Sequence, residues 1–125
     1  MGLLFVGIGG SIGAVCRFLV GRWVTARYPS SFPLGTFAVN VTGALVLGLV
    51  TRLAGLLLPH MATAVSLFLG IGFCGAYTTF STFSYETVTL IRQHRVTTAA
   101  LYVGMTFIVG FAAAGFGLYG LSTQR

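Results

Sequence analysis

The chain has 125 residues, of which 56% are hydrophobic and 6% are charged, and its formal net charge is +6. A soluble domain has about 25% charged residues, so this composition cannot cover a soluble surface and predicts an integral membrane protein. The seven basic residues are arginines scattered at the ends of apolar segments, which favours anchoring at the membrane edge over a nucleic-acid-binding face. We expect no nucleic-acid partner.

Four apolar segments follow one another along the chain. They cover about residues 3–24, 34–58, 61–91 and 96–121, and each is long enough to cross a lipid bilayer. We predict a single domain of four transmembrane helices over residues 1–125. The start of the chain lacks the basic residues of a cleavable signal, so we take its apolar run as the first span.

The first segment carries two small residues, Gly9 and Gly13, at the spacing that lets membrane helices approach closely. We therefore expect a neighbouring helix to pack against them. Arg17 lies deeper in this segment than the arginines that follow it. Two interpretations of Arg17 are open: its side chain reaches up to the membrane surface, or it belongs to a vestibule for anions.

The second segment places an amide, Asn40, at membrane depth, after a proline-containing loop at residues 28–33. Asn40 shares a helical face with Thr36, Gly43 and Leu47. It either forms a hydrogen bond that joins two helices or serves as a donor that lines a polar path.

The third segment is longer than the roughly 20 residues that cross a membrane. Its surplus length predicts a helix that breaks near residues 75–79 and then resumes, with Gly75 expected to permit the backbone angles that the break needs. A break exposes backbone groups that protein, water or an ion must satisfy. The polar residues in and after this region have no place on a lipid-facing helix, so we take the region as the functional centre. They are Thr78, Thr79, Ser81, Thr82, Ser84 and Glu86.

Phe80 and Phe83 stand three residues apart within this polar run, so a helix places them on one face. Ordinary packing between helices is one interpretation. The other is an anion path, because the edge of a phenyl ring carries positive charge density. Neutral donors such as hydroxyl groups and the Asn40 amide suit a small, strongly hydrated anion that must bind without being trapped.

The fourth segment has no charged residue, and its Tyr102 and Thr106 lie on one helical face. They extend the polar stripe, or Tyr102 is instead a belt residue at the membrane surface. Four spans put both ends of the chain on the same side. The opposite side has a modest excess of arginines, with Arg22, Arg27, Arg92 and Arg95 there against Arg52 and Arg125.

The sequence lacks the residue combinations that most enzymes use for catalysis. Glu86 is the only carboxylate, so paired acid–base chemistry is absent, and the sequence has no triad-like set and no clustered transition-metal ligands. Cys16 and Cys74 lie in apolar segments and are expected to be small buried side chains. We predict that the protein is not an enzyme.

Three motifs occur in order: GGSIGAVCR at residues 9–17, GTFAVNVTG at residues 35–43 and GAYTTFSTFSYE at residues 75–86. On these motifs the chain resembles the Fluc/CrcB family of small fluoride channels, and the resemblance covers essentially the whole chain. It implies a passive, fluoride-selective channel in the cell inner or plasma membrane. It also implies an antiparallel, dual-topology homodimer with two fluoride pathways.

The resemblance also implies roles for particular residues. It implies a structural sodium ion at the dimer centre, held by the main-chain carbonyls of Gly75 and Thr78. For Arg17 and Glu86 the resemblance leaves two roles open, one in a vestibule for anions and one in the structure alone. The fluoride pathway would be lined by Asn40, Phe80, Ser81, Thr82, Phe83, Tyr102 and Thr106.

Two rival functions remain. A small multidrug exporter also has four short spans, but it needs a membrane-buried carboxylate in the first span, and this segment has none. A structural membrane subunit without transport activity would leave the polar run between Thr78 and Glu86 unexplained.

Overall fold

The computed structural model describes residues 1–120, so Leu121, the expected end of the fourth span, and Arg125 lie outside the described residues. Every regular element within residues 1–120 is helical. Four helical stretches are long and apolar enough to cross a membrane: Gly2–Arg27, Leu34–Leu57, Pro59–Arg92 and Val96–Gly120. The predicted all-α, multi-pass membrane architecture is confirmed.

The helices are labelled here in chain order. Helix α1 is Gly2–Arg27 and α2 is Leu34–Leu57. The third span contains α3, residues 62–77, and α4, Ser81–Arg92. Helix α5 is Val96–Gly115, and a π-helical turn, Phe116–Gly120, extends it.

The third span breaks between α3 and α4, at residues 78–80. Thr78 is extended, with φ −83° and ψ 159°. The predicted break is therefore confirmed, but it begins three residues later than expected. Gly75 has ordinary α-helical angles, φ −62° and ψ −36°, so the expectation that a glycine supplies unusual backbone angles is wrong; the chain turns at a threonine.

Helix α1 packs backbone to backbone against α3. A Cβ atom at Gly9 would fall on the carbonyl oxygen of Phe68, and one at Gly13 on that of Phe73. The prediction of close helix approach at these glycines is confirmed. The facing part of α3, Ser66–Cys74, is wound as a π-helix, a form that occurs in proteins often at functional sites.

Helices α2 and α5 also approach closely, near one end of the molecule. A Cβ atom at Gly48 would lie 2.5 Å from the Ala114 carbonyl oxygen, and one at Gly117 would lie 2.6 Å from that of Leu45. Arg52 donates a hydrogen bond of 2.9 Å to the Leu118 carbonyl. These contacts hold α5 beside α2.

A tight turn sends α5 back along α4. The Arg95 N–H donates to the Leu90 carbonyl (2.8 Å) and the His94 N–H to the Ile91 carbonyl (3.0 Å), and His94 has a positive φ of 59°. This is the hydrogen-bond pattern of a Schellman motif, which ends a helix sharply. The turn brings Tyr102 of α5 against Phe83 of α4, within one buried cluster.

Candidate functional site

The break in the third span is held by the side chain of Asn40. The Asn40 Oδ1 atom accepts a hydrogen bond from the Thr79 N–H (2.8 Å), and its Nδ2 donates to the Thr79 carbonyl (3.0 Å). The amide thus pairs with both backbone groups of one residue, as a neighbouring strand would. Asn40 therefore joins the second span to the third by hydrogen bonds, as its first interpretation predicts, and its role in a polar path stays a prediction.

The break also changes which donors are available to the carbonyls of Gly75 and Thr78. In a continuous helix these carbonyls would accept from the N–H groups of Thr79 and Thr82. The Thr79 N–H instead donates to Asn40, and the Thr82 N–H donates to the Thr79 Oγ1 (3.2 Å). Side chains thus accept hydrogen bonds from the two N–H groups that would bind the Gly75 and Thr78 carbonyls in a continuous helix. These are the two carbonyls predicted to bind a cation.

A cavity of about 340 Å³ lies beside the break, and we call it the phenyl cavity. Its walls are mostly apolar, with polar groups from Asn40, Thr78, Thr79 and Thr106. The Asn40 Nδ2 carries two hydrogens, and the Thr79 carbonyl accepts one of them. The remaining lining residues are Ala44, Leu47, Phe80, Phe83, Phe107, Gly110, Phe111 and Ala114.

Phe80 and Phe83 lie together in the wall of the phenyl cavity, with ring centroids 6.0 Å apart. Phe83 is 7% exposed and Phe80 is 76% exposed. Phe107 meets Phe83 edge-on, with centroids 6.0 Å apart. One phenylalanine therefore belongs to the core, while the other presents its ring on the surface of the single chain.

The hydroxyl groups after the break form a short chain of contacts. The Thr79 Oγ1 lies 3.2 Å from the Thr82 Oγ1 and 3.5 Å from the Ser81 Oγ. Thr82 lines a different cavity from the two phenylalanines, one of about 250 Å³ that it shares with Arg17, Thr36 and Thr79. We call it the arginine cavity, and Thr79 is the residue that lines both.

Tyr102 is fully buried, with 0% exposure, which excludes the alternative of a lipid-facing belt residue. Its hydroxyl donates to the Glu86 Oε1 at 3.1 Å, and its ring centroid lies 5.1 Å from that of Phe83. Thr106 lines the phenyl cavity, but its hydroxyl proton goes to the Tyr102 carbonyl at 2.6 Å. Thr106 can offer only an acceptor oxygen there while that bond lasts.

Glu86 lines a third cavity, of about 320 Å³, below the loop between α1 and α2. We call it the loop cavity; Ser30, Phe32 and Thr36 also line it. Thr36 therefore connects the loop cavity with the arginine cavity. Glu86 does not line the phenyl cavity, and its carboxylate accepts the hydrogen bond from Tyr102.

Sequence reasoning missed three contributors to this site. Thr36 shares a helical face with Asn40, Phe107 lies in an apolar segment, and Phe32 lies in a proline-containing loop; none of these positions marks a functional residue by itself. Phe32 packs edge-on against Tyr102, with centroids 5.4 Å apart and planes at 86°. The one available signal is that Phe32 is the only fully apolar aromatic residue of the loop at residues 28–33.

The model of a family described as "CrcB-like protein, Camphor Resistance (CrcB)" matches residues 4–118. A protein of Leifsonia xyli subsp. xyli named "Fluoride-specific ion channel FluC 1" is 51% identical over 119 residues, which cover 94% of this chain and 84% of that protein. A protein of Acidobacterium capsulatum named "Fluoride-specific ion channel FluC" is 42% identical over 120 residues, which cover 94% of each chain.

The resemblance predicted from the three motifs is therefore confirmed along almost the entire length. Family match, relatives and helical architecture agree, and the chain belongs to the CrcB-like family of membrane proteins.

Proposed function

We propose that this protein is a fluoride-selective channel that lets fluoride leave the cell passively, in the inner or plasma membrane. Similarity to proteins named fluoride-specific ion channels supports the ion and the class. Such names also confirm the prediction that the protein is not an enzyme. The observation that carries the proposal is the meeting of an amide, threonine hydroxyls and two phenylalanine rings at one break in a membrane helix.

The lining of the phenyl cavity suits an anion for electrostatic reasons. Among the residues that line it none is acidic, so no fixed negative charge repels an anion there. The Asn40 amide and the edges of the phenyl rings can replace part of the hydration shell with weak, neutral contacts, whereas the lining threonine hydroxyls donate to other protein groups. Arg17, in the neighbouring arginine cavity, supplies positive charge that would draw anions toward the site.

The proposed pathway uses the residues expected from the sequence, but they line two different cavities. Asn40, Phe80, Phe83 and Thr106 line the phenyl cavity, while Thr82 faces the arginine cavity. Ser81 and Tyr102 would act through their contacts with Thr79 and Phe83. Glu86 would act indirectly, by fixing Tyr102.

Passive fluoride flux is the first expected result. Liposomes that contain the pure protein should release fluoride down its gradient without a proton gradient, and chloride much more slowly. Protein-free liposomes give the background. Proton-coupled efflux of organic cations without a fluoride leak would instead support the multidrug exporter, although α1 contains no carboxylate.

The site is incomplete in one chain, which favours an antiparallel homodimer. The phenyl cavity opens on the outer surface, because Leu47, Phe80, Phe107 and Phe111 in its wall are all exposed. Gly75 is also exposed, and no atom of another helix lies within 4 Å of the position that its Cβ would occupy. A second copy in the opposite orientation would close the cavities and give two pathways related by symmetry.

Dual orientation predicts that one loop position is accessible from both sides of the membrane. A single cysteine in place of Ser31, in a protein without Cys16 and Cys74, should react with an impermeant thiol reagent from each side in about equal parts. The arginine excess of the loops beside α1 and α4 favours one orientation, so this is a demanding test. Labelling from one side alone would contradict dual topology.

We further propose a structural sodium ion at the dimer centre, bound by the carbonyls of Gly75 and Thr78. The N–H groups that would bind these oxygens in a continuous helix donate to side chains instead, which leaves both oxygens available. A polar group without a partner at membrane depth costs roughly several kcal/mol. Two carbonyls from each chain would give four neutral oxygen ligands, which suit a monovalent cation. Among residues 1–120 no cluster of three acidic, histidine or cysteine side chains offers another metal site.

Sodium binding predicts an ion-dependent stability. The midpoint of thermal unfolding should rise with sodium concentration after dialysis into choline, because a ligand that binds only the folded state stabilises it. Choline chloride at equal ionic strength is the control. A midpoint that does not depend on which of the two cations is present would contradict the sodium site.

A further inference from the structure

We propose that Phe32, in the loop between α1 and α2, is a positioning residue that fixes the pore-side ring of Phe83 through Tyr102. The inference rests on the proposed function. Phe32 lies in a loop outside the proposed fluoride pathway, and we assign it control over the position of a ring that lines this pathway.

Three rings lie in sequence from the loop to the phenyl cavity. Phe32 meets Tyr102 edge to face, with centroids 5.4 Å apart and planes at 86°. Tyr102 then meets Phe83 with centroids 5.1 Å apart. Aromatic pairs at these separations prefer defined orientations, so the position of each ring limits that of the next.

Tyr102 is the ring through which this constraint passes. It is fully buried, and its hydroxyl is tied to the Glu86 Oε1. The tie fixes the far end of the side chain, while Phe32 and Phe83 contact the ring itself. Loss of Phe32 would open space on one side of Tyr102, and Phe83 could follow its ring away from the cavity wall.

The loop presents Phe32 in a defined position. The Phe32 N–H donates to the Ser30 Oγ at 3.1 Å, and the Phe32 carbonyl accepts from the Leu34 N–H at 2.7 Å. Pro33 restricts the backbone directly after it. Phe37 of α2 packs edge-on behind the Phe32 ring, with centroids 5.7 Å apart. A loop residue held in this way can act as a fixed support.

The test compares Phe32→Leu with Phe32→Tyr and with the control Phe73→Leu. Phe73 is also half-buried and also forms an aromatic pair, with Tyr77, but it lies in α3, outside the three-ring series. We expect Phe32→Leu to reduce fluoride flux by about two- to tenfold, the factor that corresponds to the loss of the aromatic pair between Phe32 and Tyr102. It should also lower the ratio of fluoride to chloride flux. Phe32→Tyr keeps an aromatic ring and should keep both the flux and this ratio close to those of the unaltered protein.

Several results would overturn the inference. Unchanged flux and selectivity in Phe32→Leu would show that the loop ring has no influence, and an equal loss in Phe73→Leu would show a general packing effect. A flux in Phe32→Tyr as low as that in Phe32→Leu would also count against the inference. An experimental structure of the Phe32→Leu protein does not depend on transport: Phe83 should leave its place against Tyr102. If the unaltered protein conducts no fluoride, the proposed function fails, and that structure still decides the position of the ring.

Discussion

Asn40→Asp should abolish fluoride flux. The change keeps the acceptor for the Thr79 N–H, but it replaces the donor to the Thr79 carbonyl, now 3.0 Å away, with a negative oxygen. It also places a negative charge in the wall of the phenyl cavity. Two unit charges 4 Å apart at an effective dielectric constant of 20 interact by about 4 kcal/mol, which corresponds to a flux lower by about a thousandfold.

Two further variants separate the effect of charge from that of the hydrogen bonds. Thr51→Asp adds the same charge to an exposed position of α2, about three turns from Asn40, and should conduct nearly as well as the unaltered protein. Asn40→Ala removes both hydrogen bonds without adding charge and should lower the unfolding midpoint. Normal flux in Asn40→Asp, measured in liposomes, would show that this amide only joins helices.

Phe80→Ile and Phe83→Ile should each reduce fluoride flux by about tenfold or more, the factor that ~1.4 kcal/mol of lost stabilisation produces. Both changes remove a ring edge from the phenyl cavity. They should differ in stability, because Phe83 is 7% exposed and contacts Tyr102 and Phe107, whereas Phe80 is 76% exposed. Only Phe83→Ile should lower the unfolding midpoint of the single subunit.

The control for this pair is Phe116→Ile, at an exposed phenylalanine in the final helical turn. Its flux should stay within about twofold of the unaltered protein, which corresponds to less than ~0.5 kcal/mol. Size-exclusion chromatography checks that each variant assembles normally. Unchanged flux in both Phe80→Ile and Phe83→Ile would return the two rings to an ordinary packing role.

The spans and the close approach of a neighbouring helix to α1 were predictable from the sequence, because hydropathy and small-residue spacing act locally, but the identity of that neighbour, α3, was not. The surplus length of the third segment also predicted a break. Its position was predicted less well: glycine was expected to provide the turn, yet the chain turns at Thr78. The deciding partner is Asn40, which lies 39 residues away from Thr79 in sequence, and no local pattern contains that pairing.

The residue types that form the site were predictable from the sequence, but the division of these residues between separate cavities was not. Asn40 and Thr82 were expected along one path, but they face the phenyl and arginine cavities respectively. Tyr102 was expected as a surface or path residue, and its burial depends on the turn at His94 and on the Glu86 carboxylate. Such arrangements arise from how helices pack, which helical periodicity does not specify.

The interrupted third span also has an electrostatic consequence. Each α-helix carries about half a unit of positive charge at its N-terminus and half a unit of negative charge at its C-terminus. The break at residues 78–80 therefore sets the negative end of α3 beside the positive start of α4. One short gap can thus attract a cation on one side and an anion on the other. Because peptide groups do not titrate, both ends keep their sign across the physiological pH range.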